Sequence, residues 1–235
     1  MTFYETLYPF YDRIFPLNKQ SESFLEAHFN KGQSLLDVGA GTGNMAIALA
    51  EKGFIVTAVE PEEKMANDII VKASSKDISV KVHTYTMEQI EQLGENFDGI
   101  YCVGNTLPHL QSIEEIKSFL EKCYKKLTDG GQLILQTVNF EKFISSLDFS
   151  FPIIEKEEFK FERNYEQQDE KVIFTTTLTT KKGAFTNSIP LYPVTSNEIV
   201  PSLEQIGYNK IEVLGNFKGE PYSVGSPAFI VVATK

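Results

Sequence analysis

The chain has 235 residues, 42% hydrophobic and 23% charged, which is the balance of a folded globular protein and excludes a disordered one. This length suits one large domain, or one domain with an insertion, and hides about 70–75% of the unfolded surface. With 32 acidic and 22 basic residues the formal charge is −10, a field that repels phosphate backbones and disfavours a nucleic-acid partner.

Met1 to Phe10 hold Glu5 and no basic stretch leading into an apolar run, so they do not read as a signal peptide. No segment approaches the roughly 20 apolar residues that cross a bilayer. A cytoplasmic protein without a membrane partner is expected. Residues 1–33 crowd together Phe3, Tyr4, Tyr8, Phe10, Tyr11 and Phe15 and are expected to form a helical N-terminal cap.

A regular alternation then begins. Ser34 to Val38 is a short apolar strand, and Asn44 to Lys52 a helix. Phe54 to Glu60 is the second strand, followed by a helix from Pro61 to Ala73. Ser79 to Tyr85 alternates as a third strand and Phe97 to Val103 as a fourth, with a helix from Ile113 to Leu127 behind it. Asp129-Gly130-Gly131 turns the chain into a fifth strand, Gln132 to Val138. Strands alternating with helices predict an α/β fold, a parallel sheet with helices on both faces. The pattern changes in 140–195, where Phe159 to Tyr165 and Val172 to Thr180 read as antiparallel strands of an insertion. Ser196 to Ile206 is a helix with Ser196 as its N-cap, although Pro201 interrupts it. Ile211 to Leu214 and Ala228 to Ala233 form a final strand pair. The two cysteines, Cys102 in a strand and Cys123 in a helix, have no ligand or redox spacing and are expected as reduced core residues. No metal site is expected.

The sharpest motif is Asp37-Val38-Gly39-Ala40-Gly41-Thr42-Gly43. Glycines let the backbone turn from strand to helix close beneath a ligand, and ligands of doubly wound sheets bind at strand carboxyl ends. Glu60 ends the second strand 17 residues after Gly43, where a carboxylate accepts two hydrogen bonds from ribose hydroxyls. A dinucleotide and S-adenosylmethionine both fit a ribose-binding acid. The dinucleotide fingerprint is GxGxxG, but Asn44 stands where the third glycine belongs, and Asp37 lies where a pyrophosphate would meet a negative charge. An acid followed by GxGxG resembles the class I methyltransferase motif.

That resemblance runs through the whole chain and most clearly from Ser34 to Asn139. It implies a Rossmann-like seven-stranded sheet in the order 3-2-1-4-5-7-6 with strand 7 antiparallel, S-adenosylmethionine as cofactor, and a small-molecule methyl acceptor, with a homodimer open as the assembly. It also implies that the backbone of Gly39, Ala40, Gly41 and Gly43 contacts the methionine part of the cofactor, with Asp37 counted in the cofactor site. Glu60 takes the ribose, Pro61 and Met65 lie near the adenine, and Val103 counts with the cofactor site. Relatives often carry Asp after strand 3. Here Thr86-Met87-Glu88 stands instead, which leaves the Thr86 side chain and the Met87 backbone, with Glu88 third. Gly104-Asn105-Thr106-Leu107-Pro108-His109-Leu110 and Leu191-Tyr192-Pro193 resemble glycine and sarcosine N-methyltransferases.

Single residues keep two readings each. His109 is a base or acceptor-positioning group, or a helix-entry histidine on the cofactor loop. Asn105 holds the acceptor or fixes the loop. Arg13 pairs with the cofactor carboxylate or lies in solvent. Tyr11 and Tyr192 are aromatic covers, useful beside a sulfonium cation, or packing. His28 and His83 are expected to be structural. Methyl transfer is an in-line displacement that needs alignment and exclusion of water more than a strong base. Transfer to an amine nitrogen is the first expectation. O-, S- or C-methylation, and binding of the cofactor without turnover, are the alternatives.

Overall fold

A computed structural model describes residues 6–146 and 151–235; Phe3, Tyr4 and Glu5 of the N-terminal run lie outside them. The aromatic cap is less continuous than expected. A 3-10 turn at Tyr8–Phe10 leads into α1 (Tyr11–Ile14), and a separate helix α2 (Lys19–His28) follows. Asn18 starts α2, its Oδ1 accepting the N–H of Gln20 at 2.9 Å.

From residue 34 the strand–helix alternation holds. The elements are β1 (Ser34–Val38), α3 (Asn44–Glu51), β2 (Ile55–Val59), α4 (Glu63–Ser75), β3 (Val80–His83), a 3-10 turn at Met87–Gln92, β4 (Phe97–Cys102), a 3-10 turn at Leu107–His109 and α5 (Ile113–Lys126). Helix α5 shows why these segments fold locally. Ser112 accepts the Glu115 N–H at 3.2 Å, Glu114 and Glu115 sit in the first turn and Lys125 and Lys126 in the last. Those charges complement the helix dipole. The apolar face carries Ile116, Phe119, Leu120 and Cys123 into the core. Cys102 and Cys123 are both buried and unbonded.

Strand β5 (Leu127–Val138) begins five residues earlier than its glycine turn suggested. Leu127 pairs with Phe97 and Gln132 with Gly99, so Asp129-Gly130-Gly131 forms an irregularity inside the strand rather than a turn before it. After β5 come α6 (Phe140–Ser146), β6 (Ile154–Glu155), β7 (Phe159–Gln168), β8 (Lys171–Thr180), β9 (Gly183–Leu191), α7 (Ser196–Ile206), β10 (Asn209–Leu214) and β11 (Ala228–Thr234). The seven-stranded sheet has the order β3-β2-β1-β4-β5-β11-β10, with β11 antiparallel to both neighbours. This is the expected seven-stranded order.

A second, antiparallel sheet of order β6-β7-β8-β9 fills the insertion. Its β9 was not expected, and neither was α6. Leu7 and Ile14 of the N-terminal segment share a small core with Phe159, Phe161 and Leu178 of this sheet. The N-cap of α7 is Thr195, not Ser196. The Glu198 carboxylate accepts the Thr195 N–H at 3.2 Å and its hydroxyl at 2.6 Å, while the Ser196 hydroxyl turns to Glu141. Pro201 is accommodated within the helix. Among the described residues no helix is long and apolar enough to cross a membrane.

Candidate active site

The glycine loop is shaped by what it must avoid. Gly39 has φ +74°, and a Cβ there would fall 2.3 Å from Thr106 Cγ2. Gly43 has φ +81°, and a Cβ would meet Ile69 at 2.7 Å. Any side chain at either position would be strained and would collide. The loop also spends its donors internally. The Gly39 and Ala40 N–H groups bond Val59 O at 2.9 and 3.1 Å, and Gly43 N–H bonds Ala40 O at 2.9 Å. Gly41 N–H donates to Glu60 Oε2 at 2.7 Å. A pyrophosphate cradle needs free N–H groups. This loop offers two carboxyl groups instead, which suit hydroxyl and cationic groups.

Those carboxyls are nearly dehydrated, Asp37 being 3% and Glu60 6% exposed. Burial pushes Asp37 up to about 7; the Tyr101 hydroxyl pulls it back, and the Glu60 charge adds to the rise. Burial likewise raises Glu60 to about 7 against the N–H groups of Glu62 and Gly41 that favour its ionised form. Tyr101 is close enough to feel the Asp37 charge, but their contact falls outside hydrogen-bond geometry. Asp37 Oδ2 is a buried acceptor without a hydrogen-bond partner among the described residues. Glu60 uses two of roughly four lone-pair sites on backbone. These unfilled acceptors fit a nucleoside cofactor bearing ribose hydroxyls and an ammonium group.

Both groups line a cavity of about 590 Å³. Gly39, Ala40, Pro61 and Met65 line it beside them, and Thr86, Met87, Glu88 and Val103 continue the wall. Gly41 and Gly43, expected in the cofactor site, are not among the lining residues. Thr86 also serves as the start of the 3-10 turn, its N–H bonded to Gln89 Oε1 at 3.0 Å. Tyr11, Asn105 and His109 line the same cavity. Asn105 has φ +70°, a left-handed conformation that asparagine tolerates. Its Oδ1 accepts Val138 N–H and its Nδ2 donates to Tyr165 Oη, both at 3.1 Å. Asn105 therefore fixes the loop between β5 and β7. Burial lowers His109 to about 4, which keeps its imidazole neutral.

One expectation is corrected. Tyr192 does not line the cavity. Its N–H donates to Pro108 O at 2.8 Å, its hydroxyl bonds Glu198 and the Lys171 ammonium lies 5.1 Å from its ring centroid. The α7 cap supplies a carboxylate beside the ring, and that partner draws the hydroxyl away. Arg13 pairs with Glu158 and lies 5.0 Å from the Phe10 ring centroid, which places it on the surface. His28 bonds Phe24 O at 2.7 Å, and His83 stacks on Tyr85 at 5.1 Å, both structural contacts.

Sequence reading missed four further residues that line the cavity: Phe151, Arg163, Tyr165 and Phe174. Arg163 is the unusual member. Its Nε is buried with no hydrogen-bond partner among the described residues. Its guanidinium lies 5.0 Å from the Phe151 ring centroid and 5.9 Å from that of Phe161. The signal was an alternation. Phe159, Phe161 and Tyr165 are the buried positions of β7, and Arg163 falls in the same period of two.

Residues 35–131 match the family described as a methyltransferase domain. The chain is 25% identical over 229 residues to a glycine/sarcosine N-methyltransferase from Aphanothece halophytica, covering 93% of this chain and 82% of that protein. It is 27% identical over 109 residues to a ubiquinone biosynthesis O-methyltransferase from Rhizobium leguminosarum bv. trifolii, 46% of this chain and 42% of that relative. An S-adenosylmethionine-dependent methyltransferase from Clostridium acetobutylicum has the same fold, with a TM-score of 0.83 over 99% of both chains at 16% identity. Sheet order, loop chemistry and sequence similarity converge: the chain has the class I methyltransferase fold, and its resemblance to methyltransferases supports S-adenosylmethionine as the cofactor.

Proposed function

We propose that the protein transfers a methyl group to the amine nitrogen of a small molecule that also carries an anionic group. One observation carries this reading. The cavity lined by the glycine loop is also lined by Arg163, whose buried Nε has no hydrogen-bond partner among the described residues, and by Tyr165 and the neutral His109. The similarity to a glycine/sarcosine N-methyltransferase supports the same choice.

The cofactor supplies an activated methyl on a positive sulfur. On this reading Glu60 holds the ribose hydroxyls and Asp37 the ammonium. Pro61, Met65, Thr86 and Met87 flank the adenine, with Gly39, Ala40 and Val103 beside the methionine chain. Arg163 orients the acceptor through its anionic group, a geometry that guanidinium serves in two-pronged fashion. An amine attacks only when neutral. Burial and a neighbouring Arg163 cation both disfavour an ammonium, so the pocket itself promotes loss of that proton. His109, neutral at pH 7, can accept an amine N–H and aim the lone pair. The N-terminal segment and the antiparallel sheet serve as covers that exclude water.

O-methylation is the second reading, favoured by the similarity to an O-methyltransferase. A histidine lowered to about 4 is a poor base for a phenol of ordinary pKa near 10, which weighs against it. The test is production of S-adenosylhomocysteine with small amino acids, amines lacking an acidic group, phenols, tRNA and protein extract. Amino acids should turn over best. Methylation of tRNA or protein with no small-molecule turnover overturns the proposal; phenols alone would move it to O-methylation.

A further inference from the structure

Two residues four apart in the N-terminal segment meet two residues four apart on α4. Tyr8 Oη donates to Asp68 Oδ1 at 2.7 Å. Asp12 pairs with Lys72. Residues four apart share a helix face, so α4 presents one edge to which this segment docks. Asp12 does more than pair. It accepts the Thr42 hydroxyl and the Asn44 Nδ2 at 3.0 Å, and Lys72 also reaches Thr42 O at 3.1 Å. The cluster therefore sits where the glycine loop becomes α3.

Tyr11 is the neighbour of Asp12 and lies over that loop. A Cβ placed on Gly41 would fall 3.0 Å from the Tyr11 hydroxyl and 3.2 Å from its Cε1. On its other side the segment is bound to the antiparallel sheet through Leu7, Ile14, Phe159 and Phe161. Asp12 is thus the point where the cover is fastened to the cofactor half of the site.

We propose that Asp12 is a positioning residue for cofactor retention: held by Lys72, Thr42 and Asn44, it keeps Tyr11 against the glycine loop and slows cofactor release. The inference rests on the cofactor occupying that loop. It does not depend on which acceptor is methylated. The cluster is partly exposed, with Asp12 42% and Lys72 28% accessible, so a modest effect is expected rather than a loss of folding.

The test is stopped-flow dissociation of S-adenosylhomocysteine from the full chain, with thermal unfolding of the cofactor-free protein alongside. Asp12→Asn should speed dissociation about three- to tenfold with little change in melting temperature. Lys72→Met should do the same. If Asp12 acts through Tyr11, Asp12→Asn should have little further effect in a Tyr11→Leu background, a non-additivity that a merely structural role would not produce. Unchanged dissociation in both Asp12→Asn and Lys72→Met overturns the proposal, as does the same acceleration in the Tyr11→Leu background. Failure of the wild type to bind S-adenosylhomocysteine would instead remove the cofactor reading beneath it.

Discussion

Gly41 N–H donates to Glu60 Oε2 at 2.7 Å, so the turn after β1 and the acid at the end of β2 are hydrogen-bonded to each other across 19 residues. The second oxygen, Oε1, accepts Glu62 N–H at 3.0 Å. The acid that the cofactor ribose would meet is therefore already oriented by backbone. Orientation in advance spares the entropy of fixing a glutamate rotamer on binding.

Glu60→Ala should weaken binding of S-adenosylhomocysteine by about 1.5–3 kcal/mol, roughly 10–150-fold. It also leaves the buried Gly41 N–H and the partly buried Glu62 N–H without this acceptor, so the melting temperature of the cofactor-free protein should fall. Glu60→Gln keeps a carbonyl oxygen for one of them and should recover part of that loss. Calorimetry on the three proteins checks this. Unchanged affinity in Glu60→Ala would take Glu60 out of the site.

Asp37 and Glu60, raised from 3.8 and 4.5 to about 7, make stability depend on pH. Between those limits the folded state holds protons that the unfolded state has lost, so unfolding free energy falls as pH rises from about 4 to 7. The loss is at most roughly 3.5–4.5 kcal/mol per group. His109, lowered from 6.5 to about 4, works in the opposite direction between those two values. Two carboxyls against one imidazole leave a net decline. Urea unfolding of the cofactor-free protein should show it, and His109→Gln should decline more steeply. A flat profile in both proteins would contradict the buried-carboxyl account.

Asn105 and Tyr192 separate two kinds of role. Asn105→Ala loses hydrogen bonds to Val138 and Tyr165 and strains a left-handed residue. It should cost about 1–3 kcal/mol, a drop of several degrees in melting temperature. Asn105→Gly removes the strain and should recover about 1 kcal/mol of it. Tyr192→Phe should leave cofactor affinity and acceptor KM unchanged, since the ring is fixed on Glu198 outside the cavity. A rise in acceptor KM for Tyr192→Phe would restore it as a cover.

What the sequence made legible was local. The glycine loop and Glu60 follow from spacing, and the strands of the main sheet from apolar runs that recur with the period of a strand or a helix; their order came from the resemblance to class I methyltransferases. Strand β9 was not legible because Gly183–Leu191 is mostly exposed, ends on Pro190-Leu191 and is defined by its ladder with β8 rather than by an apolar face. The cap of α7 shifted by one residue because Ser196 and Thr195 are both good caps, and the choice is made by Glu141, a residue 55 positions away. The cavity wall formed by Phe151, Arg163, Tyr165 and Phe174 was missed for the same reason. Nothing near Arg163 in the sequence says that a loop after β4 will face it.

Arg163 gives the most direct test of the acceptor. An unpaired buried donor costs roughly 1–3 kcal/mol, and Arg163 Nε has no hydrogen-bond partner among the described residues. Arg163→Met removes that donor while keeping a long apolar stem against Phe151 and Phe161, so stability should hold or rise slightly. If the guanidinium binds an anionic group, acceptor KM should rise about 10–150-fold while affinity for S-adenosylhomocysteine stays constant. Arg163→Lys keeps the charge but not the two-pronged geometry and should fall between. The substrate provides the matching control. An acceptor whose acidic group is esterified should be discriminated against by the wild type and scarcely at all by Arg163→Met. If Arg163→Met weakens cofactor and acceptor alike, the residue shapes the cavity as a whole. If it leaves the KM of every acceptor unchanged, the guanidinium is packing between two aromatic rings, and the anionic group disappears from the proposed substrate.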